Sequence, residues 1–446
     1  MRAKSTPLSA LLAGTLGVAV MAGCQTYDFE PVDPLAIAQT TVESVITARR
    51  SKPDVMLLVD ISGSMTKPVN KDLVVNGTRV CDFQAEDGKF YMCEENNPCD
   101  TSKCPTRWSE LQGAMGPFLA ESGKLVRFGL TTYPEPPPVK PPPQTTTVPE
   151  LCAPATAAAG SLSIRASVPF ELDSDTELQD YASLVNDKLQ GIPNGGAGRP
   201  RGGTPTSASL EFVGTQLRAN SIDRDQIIIL LTDGLPNCND KNEYDGTSAE
   251  CRCTLETPSQ CTDKQSPYFQ RGCLDKNASV RAVSALKANM ISTIVIGFGA
   301  ETSTGDGPSV LNEMARAGGY ARDCKASIDC GAGDTCDVNT GLCGRSFYQA
   351  GNREELAAAL KSISEAIQPG EPCFTELQPS QLPSDEKLIV VYINGERTLA
   401  GPDTWSLDLS VPEKPGVRFT GSACAKLESS RPEDPVSVEV RAIRQL

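Results

Sequence analysis

Three apolar runs punctuate this chain, and none of them alternates. Val55–Val59 lies in DVMLLVD, Ile227–Leu231 in QIIILLTDG and Ile294–Phe298 in STIVIGFG. A strand with one wet face alternates apolar and polar positions, whereas an unbroken β-branched run belongs to a sheet covered on both faces. VRFGLTTY, residues 126–133, is a fourth strand candidate. Between these runs the period becomes helical. Trp108, Leu111, Met115 and Phe118 recur at helix spacing, as do Val280, Val283, Leu286 and Met290. In GNREELAAALKSISEAI, Leu356, Leu360, Ile363 and Ile367 form one stripe, with Asn352 placed to cap and Glu355 to reach back. Strands alternating with helices predict an α/β fold, an open, mostly parallel sheet flanked by helices. Sites in such sheets lie at the carboxyl ends of strands, where Asp60, Asp233 and the turn after Phe298 fall.

Other segments interrupt or follow this pattern. Cysteine-rich insertions occupy 81–104, 238–273 and 324–343, and a proline-rich stretch, 133–154, reads as an extended surface loop. Residues 24–52 read as a tether with one short helix, leading into an α/β domain over 53–368. From 369 to 446, KLIVVYING, TWSLDLSV, VRFTGSAC and VSVEVRAI predict short strands at even spacing, a small β domain. Its only cysteines, Cys373 and Cys424, are expected to pair across it.

Composition narrows the chemistry. The 446 residues include no histidine and carry a formal net charge of −15. Without histidine there is no Ser-His-Asp triad, no Cys-His dyad and no His-ligated zinc. The acidic balance argues against a nucleic-acid groove. Seventeen cysteines suit a disulfide framework in an exported chain. The N-terminus predicts export: Arg2 and Lys4, an apolar stretch from Leu8, then Ala22-Gly23 before Cys24. This ending resembles a bacterial lipoprotein lipobox, with Met21 where leucine is usual. The resemblance implies cleavage of a 1–23 signal peptide, lipidation of Cys24 and an even number of remaining cysteines. Gln25 in such lipoproteins implies the outer membrane, facing either the periplasm or the surface. No other apolar stretch approaches the roughly 20 residues that span a bilayer.

The candidate site is Asp60-Ile-Ser62-Gly-Ser64 at the end of the first run. Two-residue spacing in an extended segment sends its three side chains to one side. Carboxylate and hydroxyl oxygens are hard ligands, suited to Mg²⁺, Mn²⁺ or Ca²⁺. Two further elements follow in order: GGTPT at 202–206 and LLTDG at 230–234. Together the three resemble the von Willebrand factor type A (vWA) domain, which has a Rossmann-like sheet, and its metal-ion-dependent adhesion site. The resemblance covers about residues 53–368, with the cysteine segments as insertions. It implies that Ser62, Ser64 and Thr204 touch the metal directly. Asp60 and Asp233 would bind it, often through water, and an open position would await a partner's carboxylate. Mg²⁺ is the first expectation, with Mn²⁺ and Ca²⁺ as alternatives.

Five cysteines precede GGTPT (81, 93, 99, 104, 152) and five follow Asp233 (238, 251, 253, 261, 273). If all pair, and Cys324, Cys330, Cys336 and Cys343 pair among themselves, at least one bridge joins the two odd sets. The expectation is a crosslinked rim around the metal face that selects the partner. Asp323, Asp329, Asp334, Asp337 and Asn339 raise a calcium alternative for 324–343, against which solvated turns are the plainer reading. The function expected is metal-dependent capture of a protein or other acidic ligand, with no enzymatic activity, nucleotide or nucleic acid. The rivals are an assembly component with incidental metal and a metal-assisted hydrolase, the latter needing a general base that no paired-carboxylate motif supplies.

Overall fold

The computed structural model describes residues 37–46, 51–140, 144–221, 224–242, 251–255, 257–299, 302–331, 333–367, 373–377, 382, 385–410, 415–428 and 436–445. The 1–23 signal peptide and Cys24 lie outside them. The chain opens with β1 (Ile37–Ile46), then enters the α/β unit at β2 (Ser51–Asp60). There follow α1 (Arg107–Ser122), β3 (Arg127–Tyr133), β4 (Ile164–Ala166), α2 (Asp175–Gln190) and α3 (Thr206–Gly214). Then come β5 (Arg224–Thr232), α4 (Lys276–Ala288), β6 (Ile291–Phe298), α5 (Gly307–Gly318), β7 (Tyr348–Ala350) and α6 (Arg353–Ile367).

The six-stranded sheet has the order β7-β6-β5-β2-β3-β4. Every pairing is parallel except that of β4 at the edge. Numbered along the chain, this is the doubly wound order 3-2-1-4-5-6, whose direction reverses between β2 and β5. At that reversal the connections leave to opposite sides and a crevice opens beyond the two carboxyl ends. Asp60 ends β2, and Asp233 directly follows β5.

The unbroken apolar runs serve both faces. Val55, Leu57 and Val59 pack with α1, α2 and α6, while Met56 and Leu58 pack with α3, α4 and α5. All five are at most 1% exposed, and burying each such side chain stabilises by about 1.5–3 kcal/mol. At α6, Asn352 accepts from the Glu355 amide at 2.9 Å, and Leu356, Leu360, Ile363 and Ile367 are buried. Met290 leaves its expected stripe: α4 ends at Ala288, Met290 adopts φ 61° and is 50% exposed.

The C-terminal unit contains β8 (Phe374–Glu376), β9 (Ile389–Ile393), β10 (Glu396–Thr398), β11 (Trp405–Asp408) and β12 (Gly416–Phe419). α7 (Gly421–Glu428) and β13 (Val436–Gln445) complete it. The VRFTGSAC stretch is thus half strand and half helix: Asp403 accepts from the Ser422 amide at 3.0 Å, at the start of α7. Two sheets, β1-β13-β9-β10 and β8-β12-β11, share one core around Val391, Val417 and Val440.

β1 corrects the expectation of a short helix in the 24–52 tether. Ile37–Ile46 pairs antiparallel with Val436–Gln445 over ten residues. The segment IAQTTVESVI is rich in β-branched residues, which fit a pleated surface better than a helix. The α/β unit is therefore an insertion between β1 and the rest of the β unit. A chain that starts at residue 51 is expected to bare one edge of β13. Hydrogen exchange is the check: amides of Val436–Gln445 should lose protection at least about tenfold.

Candidate metal centre

The crevice gathers the five predicted side chains, delivered by three segments. Asp60 and Asp233 are wholly buried, Ser62 and Thr204 nearly so, and Ser64 is half-buried. The Ser62 amide donates to Asp60 Oδ1 at 2.8 Å, turning the chain so that Ser62 and Ser64 share a side. Their hydroxyl oxygens lie 2.9 Å apart, and Ser64 donates to Asp233 Oδ1 at 2.8 Å. Gly234 fits against both remaining donors, since a Cβ there would stand 3.7 Å from Ser64 Oγ and from Thr204 Oγ1. The loops are laced together by backbone: Arg201 N donates to Ile61 O at 2.7 Å, and Gly63 N to Gly202 O at 2.9 Å. Gly202, at φ 98°, adopts the left-handed conformation, and a Cβ there would collide with the Leu151 carbonyl.

Three residues not among the predicted ligands complete the site, one of them, Thr232, from within the LLTDG element. Thr232 donates to Asp60 Oδ2 at 2.8 Å, so both Asp60 oxygens are engaged. Arg107, the first residue of α1 and 5% exposed, donates to Asp233 Oδ2 at 2.8 Å. Tyr133 ends β3 beside Asp60; burial, and then the Asp60 charge, push its phenol well above its ordinary value. The sequence signal for Arg107 is its place at the start of the helix that carries the Trp108, Leu111, Met115 and Phe118 stripe.

The electrostatics are unbalanced. Asp60 is pushed up to about 7, first by burial and then by repulsion from Asp233, against hydrogen bonds from Ser62 and Thr232 that pull it down. The Arg107 guanidinium pairs with Asp233 at 2.8 Å. Two carboxylates and three hydroxyls, all hard oxygen donors, fit a divalent cation such as Mg²⁺, Mn²⁺ or Ca²⁺.

Disulfides frame this face. Cys152–Cys238 joins the two odd cysteine sets, while Cys81–Cys104, Cys93–Cys99, Cys251–Cys273 and Cys253–Cys261 stay within their own. The cross-set bridge sits behind Thr204: a Cβ on Gly203 would collide with Cys238 Sγ, and Asn237 Oδ1 accepts from the Thr204 amide at 2.8 Å. Away from the crevice, Cys324–Cys336, Cys330–Cys343 and Cys373–Cys424 are closed. Asp329, Asp334 and Asp337 bind local amides, as turn residues do, rather than converging on one point.

No protein-family model matches the chain, and no curated protein does. Among solved structures, the pilus adhesin SpaC from Lactobacillus rhamnosus GG is 14% identical, over 91% of this chain and 41% of that one, at TM-score 0.36. The PilB minor pilin from Streptococcus sanguinis is 16% identical over 71% and 62%, at TM-score 0.35. Manganese-loaded TRAP protein from Plasmodium vivax is 15% identical over 74% and 78%, at TM-score 0.34. The chain thus spans less than two thirds of the adhesin and of the pilin. No activity follows from likenesses this distant.

Proposed function

We propose that this chain is a cell-envelope protein that captures an acidic group of a partner protein through a divalent cation held in the crevice. The observation that supports it is the convergence of five hard oxygen donors from three segments: the wholly buried carboxylates of Asp60 and Asp233 with the hydroxyls of Ser62, Ser64 and Thr204. Burial and then Asp233 push the Asp60 carboxyl up, and a bound divalent ion would offset that repulsion and favour both charged carboxylates. The ion would supply a Lewis-acidic position that takes an oxygen of an incoming carboxylate. Ser62, Ser64 and Thr204 would hold the ion directly, with Asp60 and Asp233 providing charge from behind. Arg107 keeps Asp233 oriented whether or not the ion is bound.

The reading is of a binding device and not an enzyme. Asp60 is sealed from solvent with both oxygens engaged, so it is not placed to take a proton from a substrate. Export is supported by the N-terminal sequence and by the disulfides. The sixteen cysteines other than Cys24 pair among themselves, which leaves Cys24 for lipidation and an outer-membrane anchor. Among the described residues no helix is long and apolar enough to cross a membrane.

Calorimetric titration of Mg²⁺, Mn²⁺ and Ca²⁺ into EDTA-stripped protein lacking residues 1–24 tests the reading. Saturable one-to-one binding is expected. No heat of binding through the millimolar range with any of the three ions would sink it.

A further inference from the structure

Beside the crevice lies a pocket of about 520 Å³. One wall is the proline-rich loop, with Pro136, Pro138, Val139 and Lys140; the opposite wall is the glycine-rich loop, with Arg199 and Arg201. Every charged residue of the lining is cationic, in a chain whose net charge is −15. The pocket is continuous with the metal loop, because the Arg201 amide is the one bonded to Ile61 O at 2.7 Å. Arg201 stands three residues before Thr204, which is at most about 11 Å of extended chain.

A carboxylate of the protein already sits at the pocket's edge. Glu95, from the first cysteine-rich insertion, places Oε1 2.9 Å from Arg201 Nε and 3.9 Å from an Arg199 terminal nitrogen. Its other oxygen lies against Gly63, between the two metal-loop serines, where a Cβ would collide with it. The compensation is incomplete. Two guanidinium groups meet one carboxylate, and the buried Arg201 Nε makes no aligned hydrogen bond. Arg199 donates instead to backbone, to Glu95 O at 2.6 Å and Gly196 O at 2.9 Å. Lys140, 23% exposed, leans on Glu150 at 2.7 Å.

We propose that the Arg199–Arg201 pocket is an anion subsite for a second carboxylate of the same acidic polypeptide segment that the metal captures, with Glu95 holding its place in the free protein. This rests on the metal-capture reading above. The ligand it selects is a partner segment with two acidic side chains about three residues apart, since extended chain advances about 3.3 Å per residue. The incoming carboxylate gains a charge-assisted pair with Arg201 that Glu95 only partly makes. Glu95 then swings outward, which its 23% exposed side chain permits.

Fluorescence anisotropy with two labelled peptides tests this. One carries Asp-Gly-Ser-Asp in a Gly/Ser background, and the other replaces the second Asp by Asn. In Mg²⁺ the two-acid peptide is expected to bind at least about tenfold tighter. Arg201→Gln should erase that ratio while leaving the one-acid affinity and the calorimetric Mg²⁺ affinity unchanged. Glu95→Gln should enlarge the ratio, a gain that misfolding would not produce. Equal binding of the two peptides to the wild type, or a ratio that survives Arg201→Gln, would overturn the subsite. If the one-acid peptide shows no Mg²⁺ dependence, it is the metal-capture reading that fails. The pocket is then judged by the two-acid peptide in EDTA: salt-sensitive binding lost in Arg201→Gln upholds an anion site, and no such binding overturns it.

Discussion

Asp233→Ala is expected to abolish divalent-metal binding and to destabilise the fold by about 3–5 kcal/mol, because it breaks the buried ion pair that Asp233 makes with Arg107 at 2.8 Å. Thr204→Ala is expected to remove metal binding almost as completely at a cost of under about 1 kcal/mol. Among the described residues the Thr204 hydroxyl makes no hydrogen bond, and only its backbone braces the loop. Asp233→Asn should fall between, keeping an acceptor for Arg107 while losing the charge the metal needs. Urea unfolding in EDTA reads the stability arm and calorimetry the metal arm. Comparable stability losses for Asp233→Ala and Thr204→Ala would show that the Arg107 pair does not hold the crevice. Undiminished metal affinity in both would show that the ion binds elsewhere.

Replacing Cys152 and Cys238 together by serine is expected to cost roughly 4–5 kcal/mol, since that bridge closes a separation of 86 residues. Metal affinity should fall by about tenfold or more in the same variant, for a local reason. Gly203 lies against Cys238 Sγ, the Gly203 amide donates to Leu151 O at 3.0 Å, and the Asn237 amide donates to Thr204 O at 2.9 Å. The bridge therefore fixes the two segments between which Thr204 is held. The matched control is Cys324 with Cys336, which closes a separation of only 12, remote from the crevice. Its loss should cost about 3 kcal/mol and leave metal binding untouched. Equal metal affinity in the two double variants would mean that the hydrogen bonds alone position Thr204.

Much of the α/β unit is legible along the chain because its central strands are covered on both faces. A run such as Ile227–Leu231 has little choice of environment, and its five residues are indeed at most 1% exposed. α2 and α5 escape the same reading, although Leu178, Ala182, Val185 and Leu189 make a buried stripe on α2. Their polar faces are rich in Asp, Glu and Asn, and the stripe stands out only once its partner, the β3 face of the sheet, is known. β1 was hidden for another reason. A ten-residue strand whose polar positions cluster at Gln39–Thr41 and Glu43–Ser44 instead of alternating is ambiguous until its partner is in place, and that partner lies at the far end of the chain, where Gln445 stands opposite Ile37.

By itself the sequence determined the oxygen donors and their order: an acid and two hydroxyls ending one buried run, a threonine in a glycine-rich loop, an acid ending another run. It also determined that an odd number of cysteines on either side of the glycine-rich element requires a crossing bridge if all pair. Local spacing and parity carry such information because they depend on covalent geometry and counting alone. The tertiary structure decided what depends on juxtaposition. It put Arg107 against Asp233, sealed Asp60 under Thr232, chose Cys152 and Cys238 from ten cysteines, and brought Glu95 from a separate insertion to Arg201. Charge pairs in a low-dielectric interior are set by distance in space, and no pattern along the chain encodes that distance.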